Sequence, residues 1–97
     1  MSKGYWIASY HAVSDPAAVA RYAEAATPVL LGFGARFLAR GMPVRAYEGG
    51  ANQRCVVIEF PSVEQAAAAY ESPAYQAALG IMRGAMQREV RIVPGAD

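Results

Sequence analysis

Tyr5-Trp6-Ile7-Ala8-Ser9-Tyr10-His11 is the stretch from which the fold is read. Its residues alternate as a strand's do, with Trp6, Ala8 and Tyr10 on one face. Asp15-Pro16 follows and opens a helix. The aspartate can accept from the orphan amides of the first turn, and proline at the first helical position gives up no useful donor. Val19, Tyr22, Ala23, Ala26, Leu30 and Phe33 then form one apolar stripe. Thr27-Pro28 predicts a kink or a restarted helix, and Gly34 a left-handed stop.

Beyond Gly34 the chain turns strand-like again. Phe37 to Glu48 reads as one long strand bent at Gly41-Met42-Pro43, or as two short ones. Gly49-Gly50-Ala51-Asn52 is a turn by composition. Arg54 to Phe60 is the strongest strand, with Val56, Ile58 and Phe60 on one face and Cys55, Val57 and Glu59 on the other. Ser62 with Gln65 three residues on is a capping box for a second helix. Ser72-Pro73 breaks that helix and starts a shorter third one. Glu89 to Val93 is the last strand. In order this is β-α-β-β-α-β, the split βαβ arrangement of a ferredoxin-like α+β sandwich, and residues 1–97 read as a single domain.

A chain of 97 residues buries roughly two-thirds of its unfolded surface. Its hydrophobic share of 55% is diluted, since alanine supplies more than a third of it. Each alanine buries little area at about 25 cal/mol per Å². A thin core of that kind on an open sheet favours extra burial between subunits, so a homodimer through the helix-free sheet face is expected.

Charge excludes several partners. Nine basic and eight acidic residues are scattered, for a net charge of +1, which suits neither a phosphate-tracking surface nor a polybasic membrane patch. No uncharged stretch exceeds 11 residues, well short of the ~20 that span a bilayer. No nucleic-acid or membrane partner is therefore expected. The single Cys55 allows no internal disulfide, and the first strand alternates instead of forming a leader's apolar block, so the expected compartment is the cytoplasm. One cysteine and one histidine cannot build a structural zinc site. No glycine-rich phosphate loop and no Gly-x-Ser-x-Gly elbow is present. Neither a metal nor a cofactor is expected.

Several short motifs carry a family resemblance. They are Asp15-Pro16 with Tyr22 downstream, Gly34-Ala35-Arg36-Phe37-Leu38-Ala39-Arg40-Gly41, Glu48-Gly49, Val56-Val57-Ile58-Glu59-Phe60-Pro61-Ser62 and Ala66-Ala67-Ala68-Ala69-Tyr70-Glu71-Ser72-Pro73-Ala74-Tyr75. In this order they resemble the domain of unknown function 1330 family over nearly the whole chain. The resemblance implies a dimeric α+β barrel, in which two ferredoxin-like subunits pack sheet against sheet. It brings no activity with it, and His11 and Pro94 depart from the family's pattern.

Taking the first and third strands as central, adjacent and parallel, the sequence places His11 and Glu59 at one end of the sheet. The second and last strands then bring Arg36 and Arg88 to that rim, with Tyr22 overhead. His11 and Glu59 are the candidate catalytic pair, histidine as a base near pH 6.5 and Glu59 holding its second ring nitrogen. Arg36, Tyr22 and Arg88 are the candidate substrate-binding residues, Arg36 being the first choice for an anion. Each has a plainer reading: an ion pair between Glu59 and Arg36, a surface histidine, a core tyrosine. Two functions stay open, a cofactor-free enzyme or binder of a small organic molecule, and a non-catalytic dimer whose sheet face serves assembly. An RNA-reading sheet fits less well, because Val57 and Glu59 occupy the face where exposed aromatics would be needed.

Overall fold

In the computed structural model, which describes residues 2–50 and 52–96, four strands and three helices follow the expected order. These are β1 (Gly4–Val13), α1 (Pro16–Gly32), β2 (Arg36–Gly41), β3 (Cys55–Phe60), α2 (Val63–Glu71), α3 (Pro73–Met82) and β4 (Met86–Pro94). The helix signals act as read. Asp15 Oδ1 accepts from the Ala18 amide at 3.3 Å, and Ser62 Oγ from the Gln65 amide at 3.0 Å. Gly34 adopts φ +86 just past the end of α1, where the Ala35 amide reaches the Leu30 carbonyl. Pro28 breaks nothing: α1 runs through it, and the Thr27 hydroxyl donates to the Ala23 carbonyl in the turn that proline disturbs.

The sheet order is β2-β3-β1-β4, with every neighbouring pair antiparallel. Here the parallel pairing expected of the first and third strands is corrected. α1 carries the chain from β1 over to β2, which runs in the same direction and leaves a slot between them. β3 turns back from β2 and fills that slot, so it opposes both. Tyr5 therefore faces Glu59, and Ser9 faces Cys55. Each edge strand pair has a one-residue bulge, at His11 in β1 and at Leu38 in β2. Beyond β2 the chain leaves the sheet, and a turn closes between the Gly50 amide and the Tyr47 carbonyl. Ala51, within the expected turn, lies outside the described residues.

All buried sheet residues lie on one face. Trp6, Ala8, Tyr10, Val56, Ile58 and Phe60 pack there against Ala18, Tyr22, Ala26 and Leu30 of α1, Ala66 and Ala69 of α2, and Tyr75, Ala78, Leu79 and Met82 of α3. Trp6 is the hub: it stacks on Phe60 and meets Tyr70 and Tyr75 edge-on, with centroids 5.1 to 5.7 Å apart. Such ring pairs add about 0.5–1.5 kcal/mol each beyond area burial. The opposite face, with Tyr5, Ile7, Ser9, Cys55, Val57 and Glu59, is only half-buried, and no helix among the described residues covers it.

Candidate functional site

Arg88 stands on the helix-side face of β4, directly across from Tyr10 of β1. Tyr22 reaches it from the apolar stripe of α1. Tyr75 reaches it from the first turn of α3, where Ser72 fixes the helix start. The Ser72 hydroxyl donates to the Ala69 carbonyl, closing α2, and accepts from the Tyr75 amide, opening α3. The guanidinium donates to Tyr75 Oη at 2.8 Å and to Tyr22 Oη at 3.3 Å, and the two phenols share a hydrogen bond of 2.6 Å. It also lies over the rings of Tyr10 and Tyr22, 5.6 and 5.4 Å from their centroids.

The hydrogens of this cluster do not balance its acceptors. Arginine is a donor only, with five N–H groups, and the two phenols take two of them. The phenols own two hydroxyl hydrogens, and their mutual bond uses one. Among the described residues nothing accepts the other. No carboxylate accompanies Arg88 either, since the ion pairs of the described residues are Lys3–Glu59, His11–Glu89 and Arg91–Glu89. Burial alone disfavours the Arg88 cation, but the Tyr22 and Tyr75 oxygens outweigh it and hold the group above its usual value. Burial pushes the Tyr75 phenol well up, against the pull of Arg88, and Tyr10 moves up for the same first reason. The site presents a fixed cation and a protonated phenol.

Two hollows meet at Arg88. A cleft of about 530 Å³ lies between α2, α3 and β4, with walls of Ala67, Tyr70, Leu79, Met86, Val90 and Ile92 and polar groups from Glu71, Arg83 and Arg88. Its size falls within the range of small-molecule sites. On the other side of Arg88, beneath α1, a smaller cavity of about 40 Å³ is bounded by Trp6, Tyr10, Tyr22, Phe37 and Ile58 among others. The Trp6 Nε1–H is buried and has no hydrogen-bond acceptor among the described residues. That donor adds to the same one-sided inventory.

The residues expected from the sequence divide into three places. Tyr22 and Arg88 come together as described. Arg36 and Glu59 are register partners at one end of the helix-free face, but no ion pair joins them among the described residues. Glu59 instead accepts from the Tyr5 hydroxyl at 3.0 Å and lies 3.8 Å from Lys3, and the Tyr5 phenol is raised by that hydrogen bond. His11 sits at the opposite end, 3.0 Å from Glu89 and 3.4 Å from Gln53, and is exposed. The shared rim of His11, Glu59, Arg36 and Arg88 is therefore not formed, because antiparallel neighbours put the ends of β1 and β3 at opposite edges. Tyr75 is the member that sequence reasoning missed. Its signal was a ring with a polar tip one turn after a Ser-Pro helix start, which needs a partner once buried.

The model of the family described as domain of unknown function DUF1330 matches residues 3–96. The chain belongs to that family. No curated protein matches this DUF1330 chain. Among solved structures it is similar to the RPA0582 protein of unknown function from Rhodopseudomonas palustris, at TM-score 0.72 and 15% identity, covering 99% of this chain and 84% of that one. It is also similar to a dimeric ferredoxin-like protein of unknown function from Bacteroides fragilis, at TM-score 0.64 and 12% identity, covering 96% of each. A Caulobacter crescentus protein described as a candidate antibiotic biosynthesis monooxygenase gives TM-score 0.60 and 14% identity, covering 99% of this chain and 92% of that one. At these identities the likeness establishes the ferredoxin-like fold alone. No helix among the described residues is long and apolar enough to cross a membrane. No group of three His, Cys, Asp or Glu there is placed to hold a metal ion.

Proposed function

We propose that this DUF1330 chain binds a small organic anion in the cleft between α2, α3 and β4, with Arg88 as the anchor and the buried Tyr22 and Tyr75 as the groups that position its guanidinium. The observation that carries this reading is a half-buried arginine with donors to spare and no carboxylate partner among the described residues, at the edge of an apolar-walled cleft. A cation shielded from water needs a countercharge, and here its hydrogen-bond partners are phenols, while Glu71, the cleft's one carboxylate, forms no ion pair with it among the described residues. His11 and Glu59 take no part in this site, since both belong to the helix-free face. The binding unit is a homodimer joined through that face, a reading supported by its uncovered apolar side chains and by the dimeric state named for the Bacteroides fragilis relative.

The test is a thermal-shift and NMR screen of small organic acids against wild type, Arg88→Met and Arg88→Lys. Hits should stabilise wild type and shift amides around Leu79 and Val90. Arg88→Met should lose them, and Arg88→Lys should keep only part of the affinity, because an ammonium lacks the planar fork. Equal responses from all three proteins would place the ligand elsewhere.

A further inference from the structure

The cleft's charge and shape narrow the ligand class. Its three charged lining groups are Arg83, Arg88 and Glu71, two cations against one anion, leaving a single net positive charge. A monoanion neutralises that, whereas a dianion leaves an excess negative charge among apolar walls, where it is poorly solvated. The donors are also arranged for a flat head. The guanidinium is held in one plane by two buried phenol oxygens behind the cleft wall, which leaves its other N–H groups for a ligand. A carboxylate presents two coplanar oxygens that can take the remaining guanidinium N–H groups of Arg88, the one member of the cluster that lines the cleft. Of the remaining walls, Ala67, Leu79, Met86, Val90 and Ile92 carry no strong hydrogen-bonding side-chain atom and suit an apolar body, with the Tyr70 phenol the one polar tip among them.

We infer that the ligand is a monocarboxylic acid with an aromatic or aliphatic body, its carboxylate on Arg88, which the buried Tyr22 and Tyr75 hold in place from behind, and its body along β4 and α3. This rests on the reading of the Arg88 cleft as a ligand site. It excludes phosphorylated metabolites and neutral amides as preferred ligands.

The probes are phenylacetate, phenylacetamide and phenyl phosphate, with hexanoate and hexanamide as an aliphatic pair, each titrated by NMR into wild type and Arg88→Met at mildly alkaline pH. A charge-assisted hydrogen bond contributes enough for about tenfold or more in affinity, so each acid should outbind its amide by at least that factor in wild type. Arg88→Met should bring acid and amide level. Acids and amides binding equally well to wild type, with cleft resonances shifting, would sink the carboxylate inference and leave the cleft reading intact. Tighter binding of phenyl phosphate would assign the site to phosphorylated ligands instead. Should no probe move the cleft resonances at millimolar concentration, the cleft reading falls and this inference with it.

Discussion

Tyr75 lies 2.6 Å from one phenol and 2.8 Å from a guanidinium, and its environment decides when it can lose a proton. Burial raises its pKa above the ordinary 10.0, with the Tyr22 phenol adding to the rise and Arg88 opposing it. Tyr10 shifts in the same direction, again mainly by burial. Above pH 10 the unfolded chain releases these protons while the folded chain keeps them. The folded state then binds more protons, so stability falls as pH rises. The contribution is complete below about pH 9 and is lost progressively above the unfolded value of about 10. Urea unfolding from neutral to alkaline pH should show this decline, and Tyr75→Phe should show a shallower one. Parallel declines in the two proteins would mean that Tyr75 is not held protonated by its surroundings. Tyr22 and Arg88 were visible in the sequence as candidate binding residues, one on a helix stripe and one on the last strand. That they meet Tyr75 was not, because the angle at which α3 lies against α1 is fixed by packing and leaves no local trace.

At the level of elements, β1 and α2 touch where the chain has no side chain to spare. A Cβ on Gly4 would lie 2.6 Å from the Ser62 carbonyl oxygen and 2.7 Å from the Val63 amide nitrogen and Cα, all backbone atoms. Nothing there can rotate away, so Gly4→Ala must push the start of α2 off the sheet. The expected cost is about 1–3 kcal/mol, the usual penalty for overpacking. Gly80 inside α3 is the opposite case: a methyl group there would meet nothing within 4 Å, and the backbone is not left-handed. Gly80→Ala should stabilise by about 0.5–1 kcal/mol through helix propensity. Chemical denaturation of the pair checks both signs. If Gly4→Ala were neutral, the close approach of strand and helix would be wrong. Element order, helix caps and strand faces were all legible from the sequence, because each depends on neighbours within a few residues. Strand direction was misread for a different reason. Alternation is the same whichever way a strand points, so the relation of β1 to β3 follows only from the crossover geometry, and the candidate His11–Glu59 site failed with it. Of the two outcomes expected at Pro28, the restarted helix is the one that fails: α1 is a single helix whose stripe from Ala18 to Leu30 is buried on both sides of the proline, and tertiary burial outweighs one lost helix bond.

For the whole molecule, the surface that most needs a partner is the helix-free face. Ile7, Cys55 and Val57 are half-buried on it, Val93 is 41% exposed, and the half-buried Tyr5 and Ser9 complete its centre. Its charges gather toward the two ends: Lys3, Arg36 and Glu59 at one, His11 and Glu89 at the other, with Arg91 on the edge strand across from Ile7 and its guanidinium 3.4 Å from Glu89. An apolar centre between charged ends is what a self-complementary two-fold contact needs, since each end can meet the partner's rim while the centres exclude water. Sheets packed this way sit about 10 Å apart, close enough for Val57 and Ile7 to interdigitate with their counterparts. Covering that face also compensates for a core in which seven of the buried residues are alanines, Ala8, Ala18, Ala26, Ala35, Ala66, Ala69 and Ala78. Light scattering should therefore give twice the 10.3 kDa chain mass. Val57→Lys would bury two ammonium groups against each other and should yield a monomer with a lower melting temperature, whereas Glu24→Lys, on the exposed side of α1, should leave the dimer intact. The Arg88 cleft lies on the other side of the sheet, so acid binding should persist in a Val57→Lys monomer that remains folded. A wild-type particle of single-chain mass at micromolar concentration would show that the face tolerates water and that assembly is not its purpose.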